Sequence, residues 1–192
     1  MSVSDPHEIA VCRRRALLGV GLALTPLALA PARADDAASE MPPQPGDHLV
    51  FLTGPKTGEP IRVEDLPKGG PQVQAYPKSP DGTVRDGTRL NLVIVARIGD
   101  EGVDEVTLGR MADGVVAYSG VCTHQACPVN MWSDQQRTFV CSCHGSVYDP
   151  RNGAEVLDGP APRHLAGLPL KSENGVVIVA GGFTGRVGMQ TG

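Results

Sequence analysis

The chain has 192 residues, enough for one domain with or without an insertion. Its 24 glycines, 17 prolines and 4% aromatic content exclude a helical bundle and fit a loop-rich β protein. A formal net charge of -4 leaves no basic excess, so no nucleic-acid partner is expected.

Residues 1–12 are polar. Arg13, Arg14 and Arg15 then open an uncharged stretch, 16–32, that is 17 residues long and contains Pro26 and Pro31. It ends in Ala32-Arg33-Ala34. A basic start, an apolar middle and an Ala-x-Ala site make a secretory signal. Arg14-Arg15 before Ala16-Leu17-Leu18 is similar to a twin-arginine signal, although Arg13 and Leu17 depart from its usual pattern. The rival reading is a retained membrane anchor, since spanning takes about 20 apolar residues and no fewer than about 17. The two prolines and the Ala-x-Ala end favour cleavage. Residues 1–34 are therefore an export signal or an anchor. The expected location is the periplasm, with membrane association through residues 16–32 if they stay.

Residues 35–46 are rich in alanine, proline and acidic residues and read as a linker. Short runs at 49–52, 61–63 and 73–76 are compatible with strands. Turn signals come next at Pro80-Asp81-Gly82 and Asp86-Gly87. The near-continuous apolar run 90–98 predicts a buried strand. Residues 97–111 form a loop or a short helix. Strands are expected at 115–118, 138–140, 165–170 and 175–180. Met131 and Trp132 read as packing residues. The glycine-rich tail 181–192 is expected to be loose. Many short strands with turn signals indicate an antiparallel sandwich or barrel.

Two runs carry the chemistry. The first is Cys-Thr-His-Gln-Ala-Cys, 122–127, and the second is Cys-Ser-Cys-His-Gly-Ser, 141–146. They hold four of the five cysteines and two of the five histidines. Thiolates suit iron–sulfur clusters and zinc, and imidazole suits zinc or iron. A zinc site of Cys122, His124, Cys141 and His144 is chemically reasonable, but it leaves the second cysteine of each run unused. A disulfide framework would use four cysteines and leave both histidines unexplained.

The paired runs resemble the Rieske family pattern, C-x-H-x-x-C followed by C-x-C-H and Gly-Ser, at every ligand position. The resemblance implies one [2Fe–2S] cluster, with Cys122 and Cys141 on one iron and His124 and His144 on the other. It implies a disulfide between Cys127 and Cys143, as in the respiratory subfamily. Ser146 and Tyr148 match positions that, in the high-potential branch, donate hydrogen bonds to cluster sulfur and raise the potential. A turn serine and a packed tyrosine are the plain alternatives. Gly159, Pro160, Ala161 and Pro162 look like the family's proline loop, which covers the cluster; proline fixes the backbone and removes donors. The implied fold is all-β: a Rieske domain over 47–184, with a base of 47–115 and 166–184, a cluster-binding insertion of 116–165, and a tail of 185–192.

For function, the resemblance implies electron transfer within a respiratory oxidoreductase, not a self-sufficient enzyme. The implied partners are a quinol-oxidising or a molybdenum subunit and a c-type cytochrome. Two homes compete: a quinol:cytochrome c reductase, and a periplasmic molybdenum oxidoreductase of arsenite oxidase type. Gln125 and Ala126 stand where cytochrome bc subunits commonly have Leu-Gly at the docking surface, and this favours the second home. A Rieske oxygenase would need a further two histidines and a carboxylate; only His7, His48 and His164 remain, and no catalytic domain comes after the motifs.

Overall fold

The structure is a computed structural model that describes residues 32–189. The signal or anchor expected over 1–34 lies outside these residues except for its last three. No helix among the described residues is long and apolar enough to cross a membrane.

Among the described residues, ten strands build two antiparallel sheets. The larger contains β1 (His48–Phe51), β2 (Val73–Lys78), β3 (Val93–Arg97) and β4 (Val115–Ser119). The smaller contains β5 (Val129–Ser133), β6 (Thr138–Cys141), β7 (Val147–Asp149) and β8 (Glu155–Asp158). The chain then returns to the larger sheet as β9 (Leu170–Glu173) and β10 (Val176–Val179), giving the order β4-β3-β2-β1-β10-β9. The smaller sheet runs in sequence order. The edges of the larger sheet are joined beside β4. Ser119 N–H donates to the Ala166 carbonyl at 2.8 Å, and Leu168 N–H donates to the Ala117 carbonyl at 2.9 Å. The sheet therefore curls toward the expected barrel.

β3 explains the continuous apolar run. Side chains alternate along a strand. Val93 and Val95 enter a core with Leu49, Phe51, Val115 and Val177. Ile94 and Ala96 enter a second core with Val116, Tyr118, Phe139 and Tyr148. A strand buried on both faces loses the polar alternation. β4 does the same, so β3 and β4 form the wall that the two cores share. Residues 116–119, expected in the insertion, thus belong to the larger sheet. Aromatic packing secures the smaller sheet on this wall: Phe139 meets Tyr118 edge-on at 5.9 Å and Trp132 at 5.7 Å.

Three expectations are corrected here. Residues 61–63 make one isolated bridge, Arg62 with Val176, and open a 3₁₀ turn, Val63–Asp65. Three alternating residues before Glu64-Asp65 are too few to hold a ladder. Met131, read as a packing residue, is 52% exposed, because β5 is an edge strand on which Val129 and Trp132 turn inward and Met131 outward.

The third correction is the linker. It begins as a helix, α1 (Ala32–Glu40), as its alanine content favours. The end of this helix and the residues after it are pinned to the body. The Ala38 carbonyl accepts from Arg85 Nη1 at 3.1 Å, and the Met41 carbonyl accepts from Asn91 Nδ2 at 2.7 Å. Arg85 and Asp47 form a buried two-bond ion pair at 2.6 and 3.1 Å. Breaking one side of such a pair leaves a buried charge, at a cost of about 3–5 kcal/mol.

Candidate metal centre

The two cysteine–histidine runs become loops at one end of the smaller sheet. Loop one (120–128) leads into β5, and loop two (142–146) joins β6 to β7. Register brings them together, because Val129 pairs with Cys141. Both loops have one backbone frame. In loop one, Cys122 N–H donates to the Cys127 carbonyl at 2.8 Å, and Ala126 N–H donates to the Cys122 carbonyl at 3.0 Å. In loop two, Cys141 N–H donates to the Ser146 carbonyl at 2.9 Å, and Gly145 N–H donates to the Cys141 carbonyl at 3.0 Å. The fifth residue of each frame is left-handed: Ala126 has φ 55° and Gly145 has φ 73°. Glycine adopts this conformation freely; alanine does so at a cost of about 1–2 kcal/mol.

A disulfide joins Cys127 to Cys143, with Cα atoms 6.4 Å apart. The sulfurs of Cys127, Cys141 and Cys143 lie within 4.8 Å of one another. Two of them are tied up in the disulfide, so this trio is no ligand set. Among the described residues the free thiols are Cys122 and Cys141, each 1% exposed. The rings of His124 and His144 meet edge-to-face, with centroids 4.7 Å apart and planes at 83°. His124 Nδ1 is buried and has no hydrogen-bond partner. Such an orphaned atom costs about 1–3 kcal/mol unless something bonds it, and a metal ion would do so. His124 is half-buried and His144 is exposed.

Burial pushes the Cys141 thiol up, and its hydrogen bond to Cys122 adds to the rise, while backbone N–H groups of Cys143 and His144 pull it down. The protein alone thus favours a thiol, and a bound cation is what turns such a group into a thiolate ligand. Two buried thiols beside two imidazoles, one with an orphaned nitrogen, fit a [2Fe–2S] cluster with two histidine ligands.

Around this donor set lie the residues expected to tune it. Tyr148 is fully buried, with its hydroxyl 3.2 Å from Cys122 Sγ. The same oxygen accepts from Thr123 N–H at 3.4 Å, so its own proton is left for the sulfur. Burial pushes its phenol well above the usual range, as does the Cys122 contact, keeping it a donor. Ser146 is also fully buried. Its Oγ accepts from Ala161 N–H at 3.2 Å, which ties loop two to the proline loop. Gly159 adopts φ 88°, and a Cβ there would lie 2.5 Å from Ser146 Cα. Only glycine lets this loop approach so closely. Pro160 and Pro162 are exposed, and Ala161 is tucked inward.

Some residues at the site were invisible to sequence reasoning. Thr123 fills a variable motif position, yet it is buried and its Oγ1 donates to the Arg163 carbonyl at 2.7 Å. The tail, expected to be loose, is held as far as Gly188. Thr184 N–H donates to the Gly167 carbonyl at 2.8 Å, and Arg163 donates to the carbonyls of Arg186 and Gly188. No local pattern marks these long-range contacts.

The family described as Rieske [2Fe-2S] domain matches the chain over residues 72–169. A putative respiratory nitrate reductase Rieske subunit of Haloferax mediterranei is 35% identical over 133 residues, covering 68% of this chain and 58% of that protein. The cytochrome bc1 complex Rieske iron-sulfur subunit of Streptomyces lividans is 29% identical over 142 residues, covering 72% of this chain and 84% of that protein. Among solved structures, the plasma membrane Rieske protein of the cyanobacterium Synechocystis PCC 6803 is similar at 27% identity, covering 55% of this chain and 84% of that one, with a TM-score of 0.37. The chain spans less than two thirds of the Haloferax relative's length.

Proposed function

The chain belongs to the Rieske [2Fe-2S] domain family, and we propose from that premise that it transfers single electrons through one cluster held by Cys122, His124, Cys141 and His144. The observation that carries this reading is that two loops joined by a disulfide carry two buried free thiols and two imidazoles in edge contact, one of them with an unpartnered buried nitrogen. Neutral imidazoles in place of two thiolates make electron addition to such a cluster easier. The chain's own residues do the rest. Tyr148 presents its hydroxyl to Cys122 Sγ, and Ser146 is the second hydroxyl proposed to donate to cluster sulfur. The disulfide and the proline loop hold the loops together and keep water out. His144, on the exposed side, is the ligand a redox partner would approach.

The wider setting belongs to the same proposal. The protein serves as the iron–sulfur subunit of a respiratory oxidoreductase, exported by the twin-arginine-like segment and working in the periplasm. The relatives named as respiratory nitrate reductase and cytochrome bc1 subunits support a respiratory home. The leading assignment is a quinol:cytochrome c reductase-like complex or a periplasmic relative of it, with a quinol-oxidising subunit and a c-type cytochrome as partners. A molybdenum subunit is the second reading, favoured by the exposed Gln125 beside His124.

Iron and acid-labile sulfide assays, with low-temperature electron paramagnetic resonance of the dithionite-reduced protein, test the core of the reading. Two irons, two sulfides and a reduced-state signal are expected. One zinc per chain and no signal would sink it and leave the zinc module. N-terminal sequencing of protein from the native host tests the setting. A start near Asp35 is expected; an intact Arg14-Arg15 segment in the membrane fraction would make it an anchor.

A further inference from the structure

Loop one is covered by residues from the far end of the chain, and Arg163 is the link. Its carbonyl accepts the Thr123 hydroxyl, which sits between Cys122 and His124. Its guanidinium donates to the Arg186 carbonyl at 2.7 Å and to the Gly188 carbonyl. Gly188 adopts φ 72° and presses on the loop: a Cβ there would lie 3.2 Å from Val121 Cγ1 and 3.8 Å from Ala126 Cβ. The segment is fixed upstream, where Thr184 Oγ1 accepts from Arg110 Nη1 at 2.9 Å. Loop two differs, with Ser142, Cys143, His144 and Gly145 all exposed.

We propose that residues 185–189 form a strap, drawn in by Arg163, that holds loop one closed over the metal site. Arg163 is then a positioning residue: it acts on Cys122 and His124 through Thr123 and through the strap. The inference rests on the reading of Cys122 and His124 as ligands. The physical case is specific to arginine. One planar guanidinium presents several fixed donors and can span two carbonyls, whereas a lysine ammonium is a point charge on a flexible stem. Glycine at 188 is needed both for its positive φ and for the close approach.

Four variants test this beside the parent: a chain ending at Thr184, Gly188→Val, Arg163→Ala and Arg163→Lys. Hydrogen exchange of amides 121–127 is measured in the protein as purified, together with the rate at which an iron chelator bleaches the visible absorption. The first three variants should show both rates raised about tenfold, the equivalent of losing one hydrogen bond to a charged donor, with exchange in β3 unchanged. Arg163→Lys should recover part of the loss. Parent rates in the shortened chain or in Gly188→Val would overturn the strap even if Arg163→Ala fails to fold. If the parent holds no iron, the ligand reading fails, and the exchange data alone still decide the strap.

Discussion

In loop one Cys122 and Thr123 are buried and His124 is half-buried; in loop two only Cys141 and Ser146, at its ends, are buried. The backbone frames are nevertheless the same, down to the left-handed residue at the fifth position. The frame therefore places a cysteine and a histidine in each loop, and the surroundings decide what each histidine meets. His124 is half-buried in the loop that the distant tail packs against, through Gly188 beside Val121 and Ala126, while His144 is exposed. A site built this way can keep one side closed against water and present the other to a partner.

The largest test of that comparison cuts the bond between the loops. Cys127 and Cys143 are 16 residues apart in sequence. Closing a loop of about 15 residues contributes roughly 3 kcal/mol on the chain-entropy model. Replacing both by serine should lower the unfolding free energy by that order in denaturant titrations. Mass spectrometry of the alkylated, unreduced parent should find both cysteines blocked. An unchanged midpoint of unfolding would mean the frames hold the loops without the bridge.

Gly159→Ala strikes loop two alone. Its Cβ would fall 2.5 Å from Ser146 Cα, with backbone on both sides of the contact. The expected cost is about 1–3 kcal/mol, the usual range for overpacking. Hydrogen exchange should rise over 141–146 and stay at parent values over 121–127. Equal increases in both loops would show that they open as one unit.

Ser146→Ala and Tyr148→Phe compare a donor in loop two with one that reaches Cys122 of loop one. Tyr148→Phe removes the hydroxyl at Cys122 Sγ, and on the proposed function Ser146→Ala removes a second donor to sulfur; such bonds matter more when the cluster is reduced and its sulfurs are more negative. The midpoint should therefore fall, by several tens of millivolts per variant, where about 59 mV is a tenfold change for one electron. Protein-film voltammetry at one pH reads both, and the effects should be roughly additive. Full cluster content with unmoved midpoints would reduce Ser146 to a tie for the proline loop.

The smallest effect concerns the fifth residue of each frame. Ala126→Gly should stabilise the protein by about 0.5–1 kcal/mol, the left-handed cost relieved less the added freedom of the unfolded chain. Gly145→Ala should destabilise by a similar amount. Thermal melts of the two variants would then move in opposite directions; movement in the same direction would show that the frames are not equivalent.

Much of the site was legible because ligand chemistry needs particular residue types at short, fixed spacings. Cys122, His124, Cys141 and His144 stood out for that reason, as did Ser146, Tyr148 and the Gly159 turn, in register with them. The strand at β3 was legible for a different reason: Val-Ile-Val-Ala has no polar face, so it had to be buried on both. Met131 and Trp132 are adjacent and both apolar, and composition could not say that Trp132 enters the core against Phe139 while Met131 faces outward.

The sequence by itself determined the proposed donor set, the family resemblance, the all-β class and the turn chemistry around the loops. These depend on neighbours within a few positions, where spacing and residue type are enough. Only the tertiary structure decided that His124 is sheltered and His144 open, that Arg85 pins the linker to Asp47, and that the tail returns to Arg163. Those contacts join residues far apart along the chain. They exist because the sheet curls until its edges meet and brings distant carbonyls within reach of two arginines. No local pattern encodes that closure, since it is the sum of all the strand registers.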